Sequence, residues 1–208
     1  MRKKKVLGVI GFLLLLVAIA MVWTSWKRAG TAEIDANEKA VREALIKLAR
    51  AEGEFRAKDL DGNRVLDFWT GDVASLYTLE VGGSPLKLIE KELALADAAP
   101  LKPPAGNPVP YHGYYLIAVE RDESDCIFPS EDYKQATDGK MGKVHNTSRF
   151  AFCAYPANYG KSGRQTFVIS ENNTPWKIDS AGKPLLRIPC QQPPPHEHGK
   201  RAPYDDRQ

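Results

Sequence analysis

Between residues 59 and 67 the chain reads Asp-Leu-Asp-Gly-Asn-Arg-Val-Leu-Asp. Asp59, Asp61, Asn63 and Asp67 fall at positions 1, 3, 5 and 9 of this stretch, so alternate side chains can turn an oxygen toward one point. That is the spacing of a calcium loop, which wraps a hard cation in carboxylate and amide oxygens. On this reading calcium is the ligand, and Asp59, Asp61, Asn63 and Asp67 are its donors. The pattern departs from such a loop at two places. Arg64 stands where the loop turns on glycine, and Thr70 where it closes on a bidentate glutamate. A second reading therefore stands beside the first: a capped turn, in which the same side chains bond their own backbone.

Other chemistry-bearing residues are sparse. His112 sits beside Gly113 in a segment of strand character, with no second catalytic group placed near it by sequence. It reads as a structural histidine, with an exported hydrolase built around it as the enzymatic alternative. His196-Glu197-His198 puts two imidazoles in a proline-rich tail and reads as solvated. Gly160-Lys161-Ser162 lacks the upstream glycine and the following helix of a phosphate loop. Neither a Gly-x-Ser-x-Gly elbow nor a Cys-x-x-Cys pair occurs. The residues predict no catalytic group, no enzyme activity and no cofactor other than calcium.

The elements that must hold these residues begin with residues 6–23, VLGVIGFLLLLVAIAMVW, which carry no charge and follow Arg2-Lys3-Lys4-Lys5. As a helix this run would be roughly 27 Å long, close to the ~30 Å apolar core of a bilayer. The four preceding cations predict a cytoplasmic N-terminus, a membrane contact through residues 6–23 and an extracytoplasmic, periplasmic remainder. A cleaved signal at Ala18-Ile19-Ala20 is the competing reading. The net charge is +3, yet six of the 29 basic residues precede residue 29 and all 26 acidic ones follow it. The larger part is therefore weakly acidic, which argues against nucleic acid as a partner. Three cysteines, Cys126, Cys153 and Cys190, allow one bridge in an oxidising compartment. Cys126–Cys190 is the preferred pair, and Cys153 reads as a small buried hydrophobe.

After a loosened Ala29-Gly30-Thr31, residues 36–58 predict an amphipathic helix capped by Asp35 or Asn37. Ile34, Val41, Ala44, Leu45, Leu48, Ala51 and Phe55 form its apolar stripe. Glu38–Arg42, Glu43–Lys47 and Glu54–Lys58 pair along its wet face. Two further helices are expected, over 73–79 and, opened by Ser84-Pro85 after the break at Gly82-Gly83, over 85–97. Five prolines between 100 and 110 mark an extended linker. Residues 111–120, 149–155, 165–170 and 175–179 read as strands of an antiparallel meander, with Asn172-Asn173 at a hairpin turn.

Three stretches, residues 37–77, PYHGYYLIAV (110–119) and FAFCAYPANYGKSGRQTFVIS (150–170), resemble a type IV pilin-like or pseudopilin-like bacterial family of membrane-anchored proteins of unknown function. The resemblance implies no enzyme. It implies a structural or interaction role at the cell envelope, with secretion- or pilus-type protein partners. Gly11-Phe12 matches the pilin cleavage point, but Leu16 stands where those proteins carry glutamate, so a permanently anchored relative is implied. The expected fold is thus α+β: an N-terminal transmembrane helix, then an amphipathic helix packed on a small antiparallel β-sheet, pilin-like. Three regions follow: a basic tip and anchor (1–28), the extracytoplasmic domain (29–190) and a disordered tail (191–208).

Overall fold

The computed structural model describes residues 2–102, 106–122, 132–137 and 141–189, and over 2–20 and 22–29 the backbone alone. Cys126, Cys190, His196, His198 and the tail 191–208 lie outside the described residues. The element order is α1 (Arg2–Lys58), β1 (Phe68–Trp69), α2 (Ser75–Thr78), β2 (Glu80–Val81), β3 (Ser84–Pro85), α3 (Lys91–Leu95), β4 (Tyr114–Ala118), β5 (Arg121–Asp122), β6 (His145–Asn146), β7 (Ala151–Pro156), β8 (Thr166–Ser170), β9 (Trp176–Ile178) and β10 (Arg187–Ile188).

The core forms where the apolar stripe of α1 meets one face of the antiparallel sheet β4-β7-β8-β9. Val41, Ala44, Leu45, Leu48, Ala51 and Phe55 are all buried, as their helical spacing predicts. They meet Tyr114, Leu116, Phe152, Ala154, Phe167 and Ile169, the alternate residues of three strands. Each large side chain buried this way contributes about 1.5–3 kcal/mol. The opposite face is covered too. Cys153 and Val168 pack there with Tyr133, Leu185 and Ile188. Cys153 is fully buried, a free thiol whose sulfur accepts the Leu185 amide at 3.4 Å.

The expected fold class requires correction. Among the described residues no helix is long and apolar enough to cross a membrane. The loosened junction at residues 29–31 and the separate helix start at 36 are absent: residues 2–58 form one continuous α1. Gly30 does not break it, because one glycine costs a helix only about 1 kcal/mol against its neighbours' propensity. From residue 30 onward α1 pairs its apolar stripe with a charged face, which suits a sheet on one side and water on the other. Nor is there one small sheet. Three two-stranded ribbons accompany the four-stranded one: β1–β6 and β2–β3 antiparallel, β5–β10 parallel.

Local differences follow from the same cause. Asp35 and Asn37 cap nothing, since they lie inside α1. They hold the β7–β8 turn instead: Arg164 Nη2 donates to Asp35 at 2.7 Å and Asn37 Nδ2 donates to the Ser162 carbonyl at 3.1 Å. Glu38 accepts the Arg164 amide at 2.9 Å, and Lys47 pairs with Glu90, so of the three predicted helical pairs Glu54–Lys58 is formed. The helix expected over 85–97 is mostly something else. Gly82 and Gly83 take φ of 60° and 82° and turn a hairpin that pairs Val81 with Ser84. Pro85 then sits at a ribbon edge, where its missing N–H is harmless, and α3 starts only at Lys91. At Gly163 a side chain is excluded: a Cβ would lie 1.9 Å from the Tyr114 hydroxyl, which donates to the Gln165 carbonyl.

Asp97 ties the α2 entry to the extended segment after α3. Its carboxylate accepts the amides of Val73, Ala74 and Ala99 at 2.7, 2.8 and 2.9 Å. Burial pushes this carboxyl up to about 6, against those donors, which favour its charged form. The folded chain thus holds the proton more tightly than the unfolded one. The stabilisation from this group is full below about pH 4 and is lost as pH rises through about 6. Asp97→Asn should flatten that part of the stability–pH curve. It should also lower stability by about 1–3 kcal/mol, because its amide would face the Ala99 N–H. Urea unfolding of both proteins from pH 4 to 7 checks this.

Candidate metal centre

The site forms where α1 ends. Asp59 takes φ of 47°, and the Leu60 amide returns to the Phe55 carbonyl at 3.2 Å, closing the helix with a left-handed cap. Gly62 and Arg64 are also left-handed, at 68° and 70°, so the chain coils tightly before β1. The arginine therefore adopts the backbone that a calcium loop gives to glycine.

The four predicted donors separate into three roles. Asp59 is not among the converging ligand atoms: both its oxygens face the Arg64 amide at 3.2 and 3.1 Å, and its side chain lies beside that of Asp61. Asn63 is not placed as a donor of oxygen. Its carbonyl accepts the Val65 amide at 2.6 Å, while its NH2 reaches Asp61 Oδ2 at 2.9 Å and Asp67 Oδ2 at 3.4 Å. Asp61 and Asp67 do converge, and they converge on a residue not signalled by any local motif, His145 in β6. One ligand atom from each of Asp61, Asp67 and His145 lies within 4.8 Å of the others.

His145 is brought there by pairing. β6 pairs with β1 so that His145 stands opposite Trp69, and the two rings meet edge to face at 5.2 Å. His145 also exchanges backbone hydrogen bonds with Gln135. Its ring is fully buried, and the Asp61 side chain is 2% exposed. His145 Nε2 lies 3.0 Å from Asp61 Oδ2, yet neither ring nitrogen is aligned in a hydrogen bond among the described residues. Asp67 is similar. Its Oδ2 accepts the Thr137 hydroxyl and the Asn63 amide, and its Oδ1 has no partner among the described residues.

A third carboxylate lies in the same interior. Glu52 projects from the buried stripe of α1; Oε2 accepts the Trp69 amide at 2.9 Å, and Oε1 is unpartnered among the described residues. Burial raises its carboxyl well above the ordinary range, with the Asp67 charge adding to the effect and the Trp69 N–H opposing it. Burial also raises Asp61, opposed by the Asn63 amide and by His145. Arg56, on the same turn of helix, donates to the Leu66 carbonyl and lies over the Phe68 ring at 5.1 Å. Among the described residues no lysine or arginine forms an ion pair with Asp61, Asp67 or Glu52. Buried carboxylates need a proton or a cation, since desolvating an unpaired charge costs several kcal/mol.

His112, the enzymatic alternative, is elsewhere. It occupies an exposed turn between Tyr111 and Tyr114 at φ of 46°, with its ring against Tyr111 at 4.6 Å. Gly160-Lys161-Ser162 lies in the β7–β8 turn, without the helix a phosphate loop opens. Sequence reading missed His145, 78 positions after Asp67, because strand pairing alone joins them. It also missed Glu52, although its place between Leu48 and Phe55 in the apolar stripe was a usable sign.

Fold and site together define an α+β domain with a buried carboxylate–imidazole cluster at a helix exit. A family profile described as "Protein of unknown function (DUF2950)" matches residues 14–183, and the chain belongs to that family. No curated protein and no solved structure matches it.

Glu52→Gln should be nearly neutral at pH 7, because the amide carbonyl still accepts from Trp69 and no charge is buried. Glu52→Ala should cost about 2–4 kcal/mol by leaving a cavity and an unpaired Trp69 N–H. Equilibrium unfolding in urea separates the two outcomes.

Proposed function

We propose that this domain is a divalent-cation-binding module, and that the ion is structural, not catalytic. It would be held by Asp61, Asp67 and His145 and would fasten the exit of α1 to the β1–β6 ribbon. The observation that carries this reading is a buried imidazole standing 3.0 Å from a carboxylate without hydrogen-bond alignment, beside a second buried carboxylate with an unpartnered oxygen. Two carboxylates and an imidazole are a common donor set for a divalent ion. Neighbouring groups hold these donors in place, as supporting hydrogen bonds do around metal ligands: Asn63 bridges Asp61 and Asp67, and Thr137 orients Asp67.

The structural role follows from closure. A catalytic metal keeps a position open to substrate, whereas a structural one is enclosed. Here the side chains of Asp61 and His145 are at most 2% exposed, and Phe55 and Trp69 wall the same region.

The test uses the full chain, stripped with a chelator and returned singly to Ca2+, Mg2+, Mn2+ or Zn2+. At a concentration a hundredfold above Kd, one ion should add about 2.7 kcal/mol of stability. The melting temperature should rise by several degrees. Asp67→Ala should lose most of that rise while still giving a folded far-ultraviolet spectrum. If none of the four ions raises the melting temperature of the unmutated protein, the proposal fails.

A further inference from the structure

Resting on the cation-binding reading, we infer that the ion is a borderline transition metal of the Zn2+ class, selected over calcium, and that His145 is the residue that selects it. The aspartate spacing alone suggested calcium, and the folded loop withdraws half of that ligand set. The Asp59 carboxylate is spent on the Arg64 amide. The orientation of the Asn63 amide is set by the Val65 N–H, which needs an acceptor, so N–H groups and not oxygen face the site. An imidazole nitrogen stands in their place. Calcium takes six to eight oxygen ligands and disfavours nitrogen, whereas imidazole suits zinc, nickel and copper.

Denticity points the same way. Asp67 Oδ2 is already engaged by Thr137 and Asn63, which leaves Oδ1 as a single donor. Asp61 accepts the Asn63 backbone amide at Oδ1 (3.3 Å) and the Asn63 side-chain N–H at Oδ2 (2.9 Å); Oδ2 is the oxygen that faces His145, and an ion would take its remaining lone pair. Each carboxylate thus offers one oxygen, and with His145 Nε2 the protein supplies three donors. Three protein donors are too few for calcium's six to eight ligands and closer to the count of a four-coordinate ion, whose fourth position would be closed off by the burial of the site. Tetrahedral ligands at zinc bond lengths stand about 3.4 Å apart. Here the Asp61–His145 pair stands 3.0 Å apart, and one ligand atom from each of the three residues lies within 4.8 Å of the others, so the first pair would open slightly and Asp67 would move in to seat such an ion.

The experiment is calorimetric titration of chelator-stripped full-length protein with Zn2+, Mn2+ and Ca2+. The background is a His196→Ala, His198→Ala variant, so that the tail imidazoles contribute nothing. Zn2+ should bind at least about a hundredfold more tightly than Ca2+. His145→Asp should narrow or reverse that ratio, with circular dichroism confirming that the variant folds. Co2+ in place of Zn2+ should give visible absorption of tetrahedral intensity, a readout that needs no substitution at His145. Equal or tighter Ca2+ binding overturns this inference and leaves the cation-binding reading standing. Binding of none of the three ions overturns this inference, and it overturns the cation-binding reading as well if Mg2+ also fails to raise the melting temperature. Zn2+ binding that disappears with the tail histidines, or six-coordinate Co2+ absorption, overturns the inference alone.

Discussion

The stripe Val41–Leu45–Leu48–Phe55 can leave water only by meeting a flat apolar surface, and the β4-β7-β8 face is that surface. This contact sets the position of nearly everything else. It aligns α1 with the sheet, so the β7–β8 turn comes within reach of Asp35, Asn37 and Glu38. It also carries Glu52, which shares the helical phase of the stripe, into the interior. The end of α1 is then pinned near Trp69, and the loop that follows coils against the β1–β6 ribbon.

The interior holds two kinds of carboxylate. Asp72 and Asp97 are saturated. Asp72 accepts the Trp69 indole N–H and the amides of Ser75 and Leu101, and Asp97 accepts three amides. Backbone donors of this kind explain a buried acid as architecture, because they satisfy its lone pairs and hold loops together. Asp67 and Glu52 are different: each has one oxygen engaged and one without a partner among the described residues. The distinction is local, since Asp67 and Asp72 are five positions apart and almost equally buried. What separates them is the supply of N–H groups, which is generous at the start of α2, whereas among the described residues Asp67 receives only the Asn63 side-chain N–H and the Thr137 hydroxyl, both on one oxygen.

Much of the fold was legible. The stripe of α1, the four strands of the main sheet, the Asn173 turn at φ of 58° and the burial of Cys153 all follow from periodicity and residue type. The failures share one physical origin. Caps, breaks and turns were assigned from residues that serve two purposes. Asp35 and Asn37 can cap a helix or reach across to another element. Gly82-Gly83 can stop a helix or turn a hairpin. Gly30 can loosen a chain or ride within a helix that its neighbours sustain. Each choice depends on what packs alongside, and a local window contains no information about that.

The order of residues alone determined that α1 would be amphipathic after residue 30, that an antiparallel meander would receive it, and that oxygen-bearing side chains would crowd the stretch 59–67. These follow from periods of 3.6 and 2 and from backbone preferences, which act within a few residues. Tertiary structure decided which of those oxygens converge. It set Asp59 on the Arg64 amide, made Asn63 a bridge, and placed His145 beside Asp61 through a two-residue pairing of β1 with β6. Such a pairing is too short to carry a sequence period of its own. Its register comes from burying Trp69 and Phe68 against α1 and Phe150, so only the assembled core specifies it.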